Sequence, residues 1–282
     1  MKELSETAVP FSKRNGGYTM IRAIFFDIDG TLQDFETKDV PQSAQSALYL
    51  LHEKGMKLFI ASGRPPVHLS LLCSFIQEFP FDGYVMLNGQ CCMDAQKRVF
   101  YEHPIDEETL HVLVPWLKEQ SFPCSVLELD KAYEIRENPE QRAYYASLGR
   151  ERDIPEVLDA ERAYTHATYQ SCPRIPPEMD EAFLEHAPGM KSARWTDEFP
   201  DMIPKDGGKP AGMQKMLDHF DIAREDCMAF GDGGNDITML EYAGIGVAMG
   251  NAKDHVKAHA DDVTSPINED GIAKAMKKYH LI

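Results

Sequence analysis

The chain has 282 residues, 43% of them hydrophobic and 27% charged. That is ordinary globular composition, and it allows one large domain or about two. Lys plus Arg number 29 against 46 Asp plus Glu, a formal net charge of −17, and such a field repels nucleic-acid backbones and anionic lipid, excluding both as general partners.

No apolar run reaches the roughly 20 residues of a membrane span. The N-terminal stretch has no apolar h-region of a secretory signal. Six cysteines form no CxxC pair, so they read as reduced thiols in a cytoplasmic protein.

Residues 1–19 are polar, carry Gly16-Gly17 and show no period, and are expected to be a flexible leader. Met20, directly before the first apolar run, is a candidate alternative start. Ala23–Phe26 is a continuous apolar run, the pattern of a strand buried on both faces. Ala44, Leu48 and Leu51 recur at helical spacing between Pro41 and Glu53, with Gly55 as the stop. Lys57–Ala61 reads as a second buried strand. Pro65-Pro66 opens a helix ending near Phe79, and Tyr84–Leu87 is a third strand ending at Asn88-Gly89. Strand, helix, strand, helix, strand predicts a parallel sheet with right-handed crossovers.

The texture then changes. Gln90–Met93 and Arg98–Tyr101 read as a hairpin, Asp106–Gln120 as a helix interrupted at Pro115, and Ser125–Leu129 with Ala132–Arg136 as a second strand pair. This α+β insert runs to about Trp195, with Asn88-Gly89 and Thr196–Pro204 as hinges. The first texture returns with a helix over Pro210–Phe220, a strand at Cys227–Phe230, a helix at Ile237–Ala243, a strand at Ile245–Met249, and helices at Lys253–Ala260 and Gly271–Tyr279. The expected organisation is a leader (1–19), a core in two pieces (20–88 and 197–282) and an inserted domain (89–196).

Four loops follow apolar runs or open helices. Asp27-Ile28-Asp29-Gly30-Thr31-Leu32 leaves the first strand, at the carboxyl end where open α/β sheets bind ligands. Carboxylates one residue apart need a cation or a proton to coexist. Ser62-Gly63-Arg64 offers a hydroxyl and backbone N–H groups near a helix start, an anion site. Lys209, before Pro210 at a helix start, can reach a phosphate. Gly231-Asp232-Gly233-Gly234-Asn235-Asp236 supplies two more carboxylates across a glycine-rich turn. Taken singly, these read rather as a solvated acidic turn, an N-cap, a solvated lysine and a capped turn. Their joint occurrence after successive strands is not accounted for that way.

Together they resemble the haloacid dehalogenase-like superfamily of phosphohydrolases. Its four motifs are matched at Asp27–Leu32, Ser62, Lys209 and Asp232–Asp236, over roughly residues 21–282. The insert between the second and third motifs is similar to the large α+β cap of the Cof-type phosphatases, as are Asn88-Gly89, Ala248–Ala252 and Asn268–Gly271. The chain departs from the pattern at Pro210, where glycine usually follows the lysine, and Lys205 is a competing lysine.

The resemblance implies an α/β fold, a doubly wound, mostly parallel, Rossmann-like core with the cap inserted. It implies Asp27 as nucleophile forming an aspartyl-phosphate, and Asp29 as general acid and base, with a carboxyl able to hold a proton near neutral pH. Mg²⁺ would be held by Asp27, the Asp29 carbonyl and Asp232, with Asp236 orienting the ligands. Ser62 and Lys209 would bind the transferring phosphoryl oxygens. Thr31, Gly63, Arg64, Asn88 and Asn235 are the further expected substrate contacts. Within the cap, Arg136, Arg142, Tyr144 and Arg174 are unranked candidates for reading the substrate.

The implied function is phosphatase action on a small phosphorylated metabolite, a sugar phosphate or a nucleotide-like cofactor. A phosphomutase on the same fold is the alternative. A non-catalytic regulatory or binding protein is a third reading, against which the intact Asp27, Asp29, Lys209 and Asp232 set argues.

Overall fold

The structure is a computed structural model that describes residues 11–14, 17–147 and 154–282. The chain divides into two compact units, one of Met1–Ile60, Cys73–Gly83 and Met216–Ile282, the other of Ala61–Leu72 and Tyr84–Lys215.

In the first unit the strands lie in the order Asp262–Val263, Ile245–Ala248, Cys227–Gly231, Ala23–Phe26 and Lys57–Ala61, all parallel. Ala23–Phe26 and Cys227–Gly231 are buried at every position, as expected of central strands covered on both faces. Phe25 packs on Phe59 with ring centroids 4.8 Å apart, and Phe26 stacks on Phe230 at 5.4 Å. The helix Gln42–Glu53 buries Ala44, Ala47, Leu48 and Leu51 and packs against the helix Gly271–Lys278.

In the second unit the hairpin of Cys91–Asp94 and Val99–Glu102 is antiparallel. A six-stranded sheet follows, in the order Glu156–Val157, Ala132–Glu134, Cys124–Leu127, Gln170–Pro173, Pro200–Pro204 and Met190–Arg194. All its pairs are antiparallel except the first. Ser171 pairs with Val126 and Met202. Met202 belongs to the apolar layer with Leu110, Leu113, Val114, Leu117 and Phe183. Strand alternation therefore turns Gln170, Cys172 and Asp201 to the opposite face.

Four elements differ from the sequence reading. Phe11–Arg14 and Gly17–Met20 pair as antiparallel strands, where the sequence reads as a loose leader. Positions 1–10 and 15–16 of the expected leader lie outside the described residues. The helix from Pro66 to Phe79 is two pieces, a 3₁₀ segment Pro66–Leu71 and an α-helix Ser74–Glu78, with extended backbone at Leu72 and Cys73 between them. Pro115 sits inside one continuous helix, Glu107–Glu119. Asp106 caps that helix by accepting from the Thr109 N–H at 2.8 Å, and five buried positions anchor it, which outweighs the hydrogen bond that proline removes. Finally, Pro200–Pro204, expected as a hinge, is a fully buried strand.

Candidate active site

The acidic loops of the first unit leave neighbouring parallel strands at the same end. Phe26 pairs with Phe230, so Asp27 and Gly231 end the two strands side by side, and the Asp27 N–H donates to the Phe230 carbonyl at 3.0 Å. One oxygen from each of Asp27, Asp232 and Asp236 lies within 4.8 Å of the others. Asp27 and Asp236 are buried and Asp232 is half-buried. Asp236 Oδ2 accepts from the backbone N–H of Asp232 and of Gly233, both at 2.9 Å, which shapes the loop around it. Thr31 Oγ1 donates to Asp232 Oδ1 at 2.7 Å.

Two glycines make this approach possible. Gly30 has φ +85°, and a Cβ there would stand 2.2 Å from Asp232 Oδ2. At Gly231 a Cβ would meet Asp236 Cβ at 2.5 Å. Asn251, which sequence reasoning left out of the site, donates to the Gly30 carbonyl at 2.9 Å and accepts from the Ile267 N–H through Oδ1. Its sequence signal was only its place in the run Ala248–Ala252. Asp29 and Asn235 are half-buried in the same two loops.

Three carboxylates this close repel one another unless a cation or proton offsets them. Their donor atoms are all oxygen, which suits a hard divalent ion such as Mg²⁺. The residues present therefore fit the metal, with Asp236 in the side-chain cluster beside Asp27 and Asp232.

The other expected residues lie in the second unit. Lys209 starts the helix Lys209–His219, is 1% exposed, and donates from Nζ to the Ala61 carbonyl at 2.7 Å. That places it against the residue preceding Ser62. Lys205 is exposed. Ser62 is buried, and its Oγ accepts from the Arg64 N–H at 3.2 Å. The Ser62 N–H donates to the Val85 carbonyl at 2.8 Å, and the Asn88 N–H donates to the Ser62 carbonyl at 2.9 Å. Gly89, at φ +96°, touches the start of the Lys209 helix, where a Cβ would lie 2.1 Å from the Gly208 carbonyl oxygen. The structure thus brings Ser62, Gly63, Asn88 and Lys209 together. Arg64 is half-buried, and burial, helped by the Arg64 charge, pushes the neighbouring His68 down to about 4.

Asp201 and Gln170 were not found from sequence. Asp201 is 4% exposed, and its Oδ2 accepts from Asn88 Nδ2 at 2.9 Å. Burial pushes its carboxyl up to about 6, against the opposing hydrogen bonds from Asn88 and Cys172 and the charge of Lys209.

Among the cap candidates, Arg136 donates to the carbonyls of Leu117 and Lys118 and so serves the end of the Glu107–Glu119 helix. Arg142 lies 3.7 Å from Glu137 in an exposed pair. Arg174 stacks over Phe199 at 4.2 Å and pairs with Glu198 at 3.2 Å. The Tyr144 side chain lies outside the described residues. All six cysteines are free thiols. Among the described residues no helix is long and apolar enough to cross a membrane.

A family model for haloacid dehalogenase-like hydrolases matches residues 24–276. The chain belongs to this family. It is 38% identical to the solved structure of the sugar phosphatase BT4131 of HAD subclass IIB, with a TM-score of 0.85, covering 93% of this chain and 100% of that one. It is 33% identical over 263 residues to YkrA of Bacillus subtilis (strain 168), a protein provisionally named a phosphatase, covering 93% of this chain and 98% of that protein. The pyridoxal phosphate phosphatase YbhA of Escherichia coli (strain K12) is 29% identical over 278 residues, covering 93% and 99%. The haloacid dehalogenase-like chain described here is accordingly a phosphatase, on an α/β fold with a parallel-rich sheet. Phosphatases of this family generally use a divalent metal.

Proposed function

We propose that this phosphatase depends on Mg²⁺ and hydrolyses a small phosphorylated metabolite through an aspartyl-phosphate on Asp27. A sugar phosphate is favoured over a nucleotide-like cofactor, because the 38% identical relative is named a sugar phosphatase. The observation that supports the reading most is the cluster of Asp27, Asp232 and Asp236, with oxygens within 4.8 Å at the ends of adjoining parallel strands.

Asp27, Asp232 and the Asp29 carbonyl would hold Mg²⁺, with Asp236 ordering the loop beside it. The bound ion supplies charge neutralisation, letting a carboxylate approach a phosphate and offsetting developing negative charge. An Asp27 oxygen attacks phosphorus, the bond to the ester oxygen breaks, and Asp29 gives that oxygen a proton. Water then attacks phosphorus, Asp29 takes the water's proton, and the bond to Asp27 breaks, releasing phosphate. Ser62 and Lys209 contact the phosphoryl oxygens, a hydroxyl and a cation suited to that charge. Thr31, Gly63, Arg64, Asn88 and Asn235 complete the surroundings of the substrate. The chemistry is assigned to residues 20–88 and 197–282 and selectivity to residues 89–196, in the cytoplasm.

The test is a panel of phosphate monoesters with Mg²⁺, reading inorganic phosphate. It includes hexose and pentose phosphates, nucleotides, pyridoxal phosphate and an aryl phosphate. We expect release from all labile esters and the highest kcat/KM on a sugar phosphate. No release from any of them would sink the reading, and isomerised ester without free phosphate would replace it by a mutase.

A further inference from the structure

We propose that Asp201, with Gln170, is a positioning residue for phosphate binding, holding the Ser62-Gly63-Arg64 loop in shape through Asn88. This rests on the reading above that Ser62 contacts phosphoryl oxygens.

Leu87 and Asn88 are consecutive non-glycine residues in the left-handed region, at φ +54° and +52°. Asparagine tolerates that region, but leucine does not, so the surroundings must over-determine the turn. The turn is laced to the phosphate loop. The Leu87 N–H donates to the Arg64 carbonyl at 3.0 Å, and the Asn88 N–H donates to the Ser62 carbonyl at 2.9 Å. Whatever fixes Asn88 therefore fixes the carbonyls on both sides of Gly63.

The Asn88 side chain is held from two strands of the six-stranded sheet. Its Nδ2 donates to Gln170 Oε1 at 3.1 Å and to Asp201 Oδ2 at 2.9 Å. These partners lie 82 and 113 residues away in sequence. They stand on the same face of neighbouring strands, paired at Ser171 and Met202. A third residue closes the set: Gln170 Nε2 donates to Cys172 Sγ at 3.4 Å, and Cys172 Sγ donates to Asp201 Oδ1 at 3.3 Å. Both Asp201 oxygens and both hydrogens of the Asn88 amide are thus engaged inside the protein.

Asn88, Gln170 and Asp201 are each buried. Water cannot replace a lost partner there, so the network has one stable arrangement. It also sets the space left for the loop. A Cβ on Gly63 would lie 3.0 Å from both Asn88 Nδ2 and Asp201 Oδ2. A carboxylate buried in this way opposes folding, and the asparagine it holds accounts for its presence better than stability does.

The proposal is tested with Asp201→Ala, Asn88→Ala, the double variant and Asp201→Asn in the full chain. Asp201→Ala should lower kcat/KM by roughly 10- to 100-fold, the scale of a misplaced binding group. The factor should be the same for a sugar phosphate and for an aryl phosphate. The inhibition constant of inorganic phosphate should rise with it, and hydrogen exchange at residues 62–64 should speed up. Asn88→Ala should lose at least as much, since Asn88 also stands beside the substrate, and the double variant should be no worse than Asn88→Ala, because Asp201 acts through that link. Asp201→Asn should keep most activity, since its amide oxygen still accepts from Asn88.

Unchanged exchange at 62–64 with unchanged phosphate inhibition in Asp201→Ala would overturn the proposal. So would multiplicative losses, or an Asp201→Asn as impaired as Asp201→Ala. If Asp201→Ala does not fold, Gln170→Ala carries the same test with the same expectations. Exchange reads the loop with or without turnover. A wild-type protein that released no phosphate would therefore sink the proposed function and leave this proposal to be decided on its own.

Discussion

The acidic loops and the serine loop are built in opposite ways. Asp27 and Asp232 are placed by the ends of two paired strands, and Asp236 is tied by backbone N–H groups three and four residues away. The serine loop is placed by side chains from strands more than 80 residues distant, through Asn88. The first is set by strand pairing and by direct contacts between the loops, Thr31 reaching Asp232 across 201 residues. The second is only as stable as the buried contacts that reach it.

The largest effect is expected at Asp27. Asp27→Asn should cost at least about a thousandfold in turnover, because the amide keeps the shape and loses the attacking charge. Its melting temperature should stay within a few degrees of wild type. Near wild-type phosphate release from the purified variant would remove the acidic loops from the chemistry. Chelation comes next. EDTA should silence phosphate release, added Mg²⁺ should restore it, and Ca²⁺ should restore it poorly, because its bonds are longer and its coordination looser. Full activity after exhaustive chelation would mean that the carboxylate cluster holds protons rather than a cation.

The third prediction probes the serine-loop side through stability. The Asp201 carboxyl is raised from 3.8 to about 6 by burial. A raised pKa gives a contribution that is complete below the unfolded value and lost as pH rises through the folded one. Asp201→Asn cannot ionise, so it escapes that loss. It should be more stable than wild type at pH 8, by up to about 3 kcal/mol, with the gain gone below about pH 4. Urea midpoints at the two pH values check this, and equal differences at both would remove the buried charge from the account. The smallest effect belongs to Arg136, which closes a helix end. Arg136→Ala should cost about 1 kcal/mol of stability and leave kcat/KM unchanged. A selective loss of activity on one ester would return Arg136 to the substrate-reading residues.

Much of this is legible in the amino-acid sequence. The runs at Ala23–Phe26, Lys57–Ala61 and Cys227–Phe230 marked buried parallel strands, because only a strand covered on both faces reads as apolar throughout. The loops after them carried the carboxylates, the serine and the glycines that a phosphate site needs. What was missed has a common cause. Pro115 looked like a break because proline removes a local hydrogen bond, yet packing from Leu110 to Leu117 holds the helix through it. Pro200–Pro204 was read within a hinge at Thr196–Pro204, yet its partners on both sides make it a strand.

The sequence by itself marked the loops to which the chemistry is assigned, because strand burial, glycine turns and acidic spacing are local properties of the chain. Only the tertiary structure decided how Asn88 is held, because Gln170 and Asp201 reach it through a sheet pairing that no local pattern encodes. It also separated the lysines, burying Lys209 against the Ala61 carbonyl and leaving Lys205 exposed. Burial and partner identity come from the folded environment, and that environment sets the energy of a polar group.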